Sequence, residues 1–274
     1  DKRRINMLRA GIIGFGTLGR SISELIASGQ AGKVKLQAIL VRTPLNPTNT
    51  PPVHCTVTTE EKVFFNQNLD IIIEAAGHHA LQLYGEKSLT SGSNLVILSV
   101  GALANIDFYE SLMKTATIQN KQLFIPSAAI AGLDRIAAGI LGEIDEIKLI
   151  TRKPPKSWYG TIAEEKVNLE TIQEPYCIFD GNARHAAKLF PENVNVSAAL
   201  SLAGIGFEDT KVQVYVDPTI NKNTHTIIAK GYFGQVEISV QNNPYTQNPK
   251  SSPIVSMSVA KVLKNLTSSL VIGV

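Results

Sequence analysis

Short apolar runs alternate with helically spaced ones through the first half of the chain. Leu8-Arg9-Ala10-Gly11-Ile12-Ile13 has the length of a buried strand and runs into glycines at Gly14, Gly16 and Gly19. Leu18, Ile22, Leu25 and Ile26 then recur at the spacing of one helix face, and residues 34–41 (VKLQAILV) read as a second strand. Strand, tight turn, helix and strand in that order predict a βαβ unit. Residues 42–52 include Pro44, Pro47, Pro51 and Pro52 and predict a loop. A buried strand is expected over 70–75, running into Ala76-Gly77, followed by a helix over 79–90 and a strand over 95–98. A helix over 106–116 and a strand over 122–125 complete the alternation, which predicts a parallel sheet wound on both faces.

After Asp134 the pattern changes. A strand is expected over 147–151 and helices over 183–190 and 196–203. Three strands then follow in series, over 211–216, 224–230 and 235–240. Val212, Val214 and Val216 alternate with Gln213, Tyr215 and Asp217, as in a sheet with one covered face. This is the pattern of a second, α+β domain. The tail over 253–266 has helical spacing and is expected to fold back on the first domain. The expected division is 1–134 for the first domain, 135–250 for the second and 251–274 for the returning helix.

Composition narrows the function classes. The chain has 274 residues, 44% of them hydrophobic and 18% charged, with 26 basic and 23 acidic side chains and a formal charge of +3. Such a chain buries a sizeable core and is no disordered polyelectrolyte. So small a positive surplus argues against nucleic acid or an acidic membrane surface as partner. Cys55 and Cys177, the two cysteines, are too few for a disulfide framework or a thiolate zinc cage, which points to a reducing, cytoplasmic setting. No apolar run approaches the ~18–20 residues of a membrane span. The basic start, residues 1–6, leads straight into a strand and is not read as a signal peptide.

Gly14-Phe15-Gly16-Thr17-Leu18-Gly19 matches G-x-G-x-x-G between a predicted strand and a predicted helix. The pattern needs glycine for a tight turn, for backbone approach to a pyrophosphate and for close helix–strand packing, with the free N–H groups of the helix start facing the phosphates. In that context it predicts a dinucleotide site of Rossmann type. NAD-selective sites place an acid about 20 residues on, at the end of the second strand. Here the strand ends Leu40-Val41-Arg42-Thr43, so Arg42 is either a partner for the 2′-phosphate of NADP or a surface arginine.

The histidines sort by context. His225 shares a strand face with Ile227 and Ala229, as a packed core histidine or as an acid/base with a pKa near neutrality. His78 and His79 follow Ala76-Gly77 at the carboxyl end of a strand, where they line a ligand site or cap the next helix. His54 and His185 read as structural or solvated, and no spacing predicts a metal site. Residues 127–134 (SAAIAGLD) are rich in small side chains, which suits close approach of a cofactor or tight helix packing. Thr151-Arg152-Lys153-Pro154-Pro155-Lys156 reads as a basic loop, with a dicarboxylate site as the alternative.

GFGTLG (14–19), EAAGH (74–78), SAAIAGLD (127–134), TRKPP (151–155), FPENVNV (190–196) and NTHTI (223–227) together resemble the L-aspartate dehydrogenase family, in order along nearly the whole chain. The resemblance implies NAD(P)-dependent oxidative deamination of L-aspartate to iminoaspartate, which feeds NAD biosynthesis or hydrolyses to oxaloacetate and ammonia. It implies that His225 takes the place of the active-site histidine and that Ala129 and Asn195 contact the nicotinamide cofactor. Gly14, Gly16, Thr17, Leu18 and Gly19 then form the phosphate loop, with Arg42, Ala76 and Gly77 beside it. Substrate is expected between the two domains, and a homodimer is the expected assembly. The family often has glycine where this chain has Ala128 and Ala131. Two other readings stay open: a related reductase of homoserine dehydrogenase or dihydrodipicolinate reductase type, and an NAD(P)-binding sensor without turnover.

Overall fold

The computed structural model describes residues 7–46, 48, 50–190, 194–246, 248 and 251–273. The basic start, Pro47 of the proline-rich loop and residues 191–193 of the FPENVNV segment therefore lie outside the described residues. The chain divides into two compact units, one up to Ala128 and again from Pro244, the other Ala129–Asn243. These divisions fall at 128/129 and 243/244, a few residues before the 134/135 and 250/251 expected from the pattern.

The first unit is built on a six-stranded parallel sheet, β1 (Leu8–Ile13), β2 (Val34–Leu40), β3 (Thr56–Thr58), β4 (Ile71–Glu74), β5 (Asn94–Ile97) and β6 (Leu123–Phe124). Its order is β3-β2-β1-β4-β5-β6, with the crossover from β1 placing β2 on one side and β4 on the other. Helices α1 (Thr17–Ala27), α2 (Glu61–Phe65), α3 (His78–Thr90) and α4 (Ile106–Ile118) connect the strands. Because both faces are covered, β1 and β4 are apolar almost throughout, and Ala10, Ile12, Ile71, Ile72 and Ile73 are fully buried. One face packs Ala10, Ile12 and Ile39 against Ile22 and Ile26 of α1 and Val259 and Leu263 of the last helix, Pro253–Thr267. Ser21, Tyr245 and Ser256 share hydroxyl hydrogen bonds of 2.8–2.9 Å across that contact. Among the described residues no helix is long and apolar enough to cross a membrane.

The second unit carries α5 (Leu133–Gly139), β7 (Ile144–Lys153), β8 (Tyr176–Asn182), α6 (Ala183–Leu189), α7 (Val194–Ala203), α8 (Gly206–Asp209), β9 (Lys211–Val216), β10 (Thr224–Gly231) and β11 (Gly234–Gln241); the returning helix Pro253–Thr267 is α9. Its five strands lie in the order β11-β10-β7-β9-β8, antiparallel except for the β7/β9 pair. Alternation is clear: Ile147, Leu149, Val212, Val214, Ile227 and Ala229 are buried on one face, and their neighbours along each strand are half-buried on the other, or exposed as Lys211 is.

The structure corrects two expectations here. The basic stretch at 151–153 is not loop; β7 continues through Lys153, so alternation sends Thr151 and Lys153 to the covered face and Arg152 to the other. Asp217 is not an outward residue of the alternating strand, since β9 stops at Val216 and the chain turns. The turn buries the carboxylate, which accepts from the Thr219 N–H at 2.9 Å, the Thr219 hydroxyl at 2.6 Å and the Arg152 guanidinium at 3.1 Å.

Candidate active site

In the first unit the carboxyl ends of three neighbouring strands, β2, β1 and β4, bring the glycine loop, Arg42 and the Ala76-Gly77 turn to one sheet edge. The Gly14 N–H donates to the Leu40 carbonyl at 2.8 Å, which seats the loop against the end of β2. Gly14 has φ +96°, and a Cβ there would lie 2.8 Å from the Ala75 carbonyl oxygen, so both conformation and space require glycine. At Gly19 a Cβ would strike the Gly14 carbonyl, and its absence lets α1 start directly against the turn. Gly16 is different, because a Cβ there would meet nothing within 4 Å. It opens α1 with no side-chain cap, so the first N–H groups of the helix, at Thr17 and Leu18, have no side chain of the Gly16 position to satisfy them.

The second turn is shaped by a carboxylate that sequence reasoning passed over. Glu74 ends the run of isoleucines in β4 and is buried. Its Oε1 accepts from the Ala76 N–H at 2.8 Å, the Gly77 N–H at 2.9 Å and the Ser99 hydroxyl at 2.9 Å, and its Oε2 accepts from the Ser99 N–H at 3.0 Å. Gly77, at φ +101° and with open space over it, then starts α3 at His78. The available signal was a single acid closing an otherwise apolar buried strand. Open space over Gly16 and Gly77, flanked by an uncapped helix start, forms a cradle that a dinucleotide pyrophosphate fits. Arg42 is exposed just past β2.

In the second unit His225 lies on the covered face of β10, 6% exposed and directly opposite Thr151 of β7. Its Nδ1 is 3.1 Å from the Thr151 hydroxyl, and Nε2 has no hydrogen-bond partner among the described residues. Burial, and secondarily the Lys153 ammonium, push its pKa down to about 4. This corrects the expected value near neutrality: the site strips water from the ring and sets a cation beside it, and both disfavour the imidazolium. Lys153 is itself buried and lies 5.2 Å from the Trp158 ring centroid, while the Trp158 indole N–H donates to the Lys153 carbonyl at 3.2 Å. Arg152 is committed elsewhere, paired with Asp217 and 4.5 Å from the Tyr215 ring centroid. Burial pushes the Asp217 carboxyl up, but the Thr219 and Arg152 hydrogen bonds outweigh it and hold the group below the ordinary carboxylate range.

Ala129, half-buried, accepts from the Asn242 side-chain amide at 2.8 Å through its carbonyl. Asn195 is exposed in the first turn of α7. Ala128 sits at φ +49° and Gly132 at φ +77°, so the small-residue segment uses left-handed backbone twice. His54, His79 and His185 are exposed. Among the described residues no group of three or more His, Cys, Asp or Glu is placed to hold a metal ion.

A Rossmann-order sheet with a glycine cradle, followed by a mixed-sheet unit holding a buried histidine, defines the class of nicotinamide-dinucleotide oxidoreductases. Residues 14–126 match the family model described as homoserine dehydrogenase, NAD binding domain, and residues 134–266 match that described as aspartate dehydrogenase, C-terminal. An L-aspartate dehydrogenase of Methanosarcina barkeri is 38% identical over 97% of this chain and 100% of its own length. One from Ralstonia pickettii is 36% identical over 94% and 97%. The crystal structure of aspartate dehydrogenase from Thermotoga maritima superposes with a TM-score of 0.79 at 25% identity, covering 97% of this chain and 99% of that one. A hyperthermophilic archaeal homoserine dehydrogenase shares the fold, at a TM-score of 0.62 and 14% identity. The chain belongs to the L-aspartate dehydrogenase family.

Proposed function

We propose that this protein oxidises L-aspartate to iminoaspartate with NAD(P) as hydride acceptor, hydrolysis then giving oxaloacetate and ammonia. His225 carries the reading: a buried imidazole, neutral at pH 7, held at Nδ1 by Thr151 and matching the family's active-site histidine. When bound, a nicotinamide would supply the hydride-acceptor chemistry for oxidation at the substrate Cα. Gly14, Gly16, Thr17, Leu18 and Gly19 would hold the pyrophosphate and Ala76 and Gly77 would line the second turn, while Ala129 and Asn195 are the cofactor contacts that the family resemblance implies.

Thr151 fixes the ring so that Nε2 faces the substrate. Nε2 accepts a proton from the substrate amine or from the water that hydrolyses the imine, a role that contributes ~10²–10⁴-fold in characterised enzymes. Lys153, beside it, gives the site the positive charge that a dicarboxylate requires. The same reading sends iminoaspartate to NAD biosynthesis in the cytoplasm. A homodimer is the proposed assembly, as closed two-fold pairs are the commonest oligomers.

The test is oxidation of NADH and NADPH with oxaloacetate plus ammonium, with ammonium omitted as the control. An ammonium-dependent rate that falls at least ~10²-fold in His225→Ala, with dinucleotide affinity retained, is expected. Dinucleotide binding without any ammonium-dependent rate overturns the reading in favour of a sensor. Turnover of homoserine or dihydrodipicolinate in its place makes the protein a reductase of another substrate.

A further inference from the structure

We propose that the first unit is built for a 2′-phosphorylated adenosine, with Arg42 as the phosphate-binding residue, so that the protein selects NADP(H) over NAD(H). The inference rests on the dinucleotide reading above and extends it to one end of the cofactor.

Three observations converge on it. The first is charge. Between Glu24 and Glu60 the chain has no Asp or Glu at all, while Lys33, Lys35 and Arg42 fall in that interval. A 2′-hydroxyl is ordinarily held by an acid at the end of the second strand, and the same acid repels a 2′-phosphate. Here neither the hydroxyl-binding group nor the repulsion exists on the segment that carries β2, the proline-rich loop and β3.

The second is placement. The Gly14 N–H bond to the Leu40 carbonyl ties the phosphate loop to the last residue of β2, so the residues just beyond it stand where the adenosine ribose follows the pyrophosphate. Val41 is buried there and Arg42 is the first exposed residue. Among the described residues Arg42 has no ion-pair partner; the arginines at 9, 152 and 184 are each paired with an acid. A guanidinium fork in that position matches two phosphate oxygens at once, which a lysine does not.

The third is the space beside it. A cavity of about 420 Å³ is lined by Val41, Pro44, Leu45, Pro51, Val57 and Thr58, among others. It sits at the carboxyl ends of β2 and β3, adjacent to Arg42, and its aliphatic and proline walls suit the flat faces of an adenine ring. The cavity positions the base, and Arg42 then meets the 2′ substituent.

Calorimetric titration of the full chain with adenosine 2′,5′-bisphosphate and with 5′-AMP tests this without turnover. The ratio of the two affinities is the readout. A charge-assisted bidentate contact predicts about tenfold or more tighter binding of the bisphosphate, falling toward equal affinity in Arg42→Ala, with Arg42→Lys between the two. NADPH and NADH titrations are expected to follow the same ratio. Equal affinities in the wild type, or a preference that survives Arg42→Ala, overturns the assignment of Arg42. If none of the four nucleotides binds, the dinucleotide reading falls and this inference with it. Circular dichroism of each variant shows that the exposed substitution leaves the fold intact, so a lost preference reports the contact.

Discussion

The buried His225 ties the site to the pH dependence of folding. Its pKa is about 4 in the folded protein. In the unfolded chain it returns to about 6.5. A drop of that size corresponds to about 3 kcal/mol of folding free energy. The sign follows from which state takes up the proton. Between about pH 6.5 and 4 the unfolded chain binds a proton that the folded one refuses. The contribution is therefore fully present above about pH 6.5 and is lost as the pH falls toward 4. Replacing His225 with Gln keeps a polar side chain opposite Thr151 and removes the titration. Urea denaturation of both proteins from pH 7 to pH 4 isolates it, because other groups titrate alike in the two. The wild type is expected to lose about 3 kcal/mol more than His225→Gln over that range. The His225 imidazole resonance, assigned by its absence in the variant spectrum, is expected to titrate at about 4. Lys153→Met removes the second cause of the shift and moves the value upward without restoring it fully. Parallel stability curves, or a His225 resonance titrating near 6.5, would refute the reasoning.

Other perturbations test the cradle and its backbone. Gly19→Ala drives a methyl into the Gly14 carbonyl. It is expected to cost about 1–3 kcal/mol of stability and to weaken NADPH binding in a fluorescence titration; wild-type affinity would show that the loop is not the cradle. Glu74→Ala strands the buried Ser99 N–H and frees the Ala76-Gly77 turn. A loss of about 1–3 kcal/mol is expected in chemical denaturation, together with weaker dinucleotide binding, and unchanged binding would detach the turn from the cofactor. Ala128→Gly relieves a left-handed alanine at φ +49°. Removing a penalty of about 1–2 kcal/mol against a glycine entropy cost of about 0.5–1 should stabilise the protein by about 0.5–1 kcal/mol, and a lower melting temperature would contradict it.

The sheet of the first unit was readable because parallel strands buried on both faces leave unbroken apolar runs, as Ile71-Ile72-Ile73 does. Elements missed were those whose stability lies in their neighbours. β3 is three residues, held by its register with β2, and β8 (YCIFDGN) has no clean alternation because its register shifts against β9 between Cys177 and Phe179. α5 follows a small-residue segment that reads equally as close approach of a cofactor or as tight helix packing. At the site, the glycine motif carries its own geometry in its spacing, so Gly14, Gly16 and Gly19 were legible as a unit. Glu74 was not, since a carboxylate in a buried strand announces nothing until the four hydrogen bonds it accepts are seen. The pKa of His225 was invisible for a related reason. It depends first on burial and then on Lys153, which lies far away in sequence and shares the covered face because β7 runs two residues further than its apolar pattern suggests.

A base with a pKa of about 4 is weak for taking a proton from an amine, and the resolution lies in what the substrate brings. Burial and the Lys153 cation both hold the free ring neutral. A dicarboxylate bound beside Lys153 places negative charge against that cation and against the ring, which offsets the second cause of the depression and stabilises the imidazolium directly. On the proposed mechanism the histidine is therefore expected to become a better proton acceptor when aspartate binds. Titrating the His225 resonance with saturating L-aspartate and no dinucleotide, so that nothing turns over, should move its pKa up from about 4 toward the ordinary value. The shift should shrink in Lys153→Met, where the cation that aspartate neutralises has already gone. A value that stays at about 4 with aspartate bound would place the substrate carboxylates elsewhere and leave His225 without its activator.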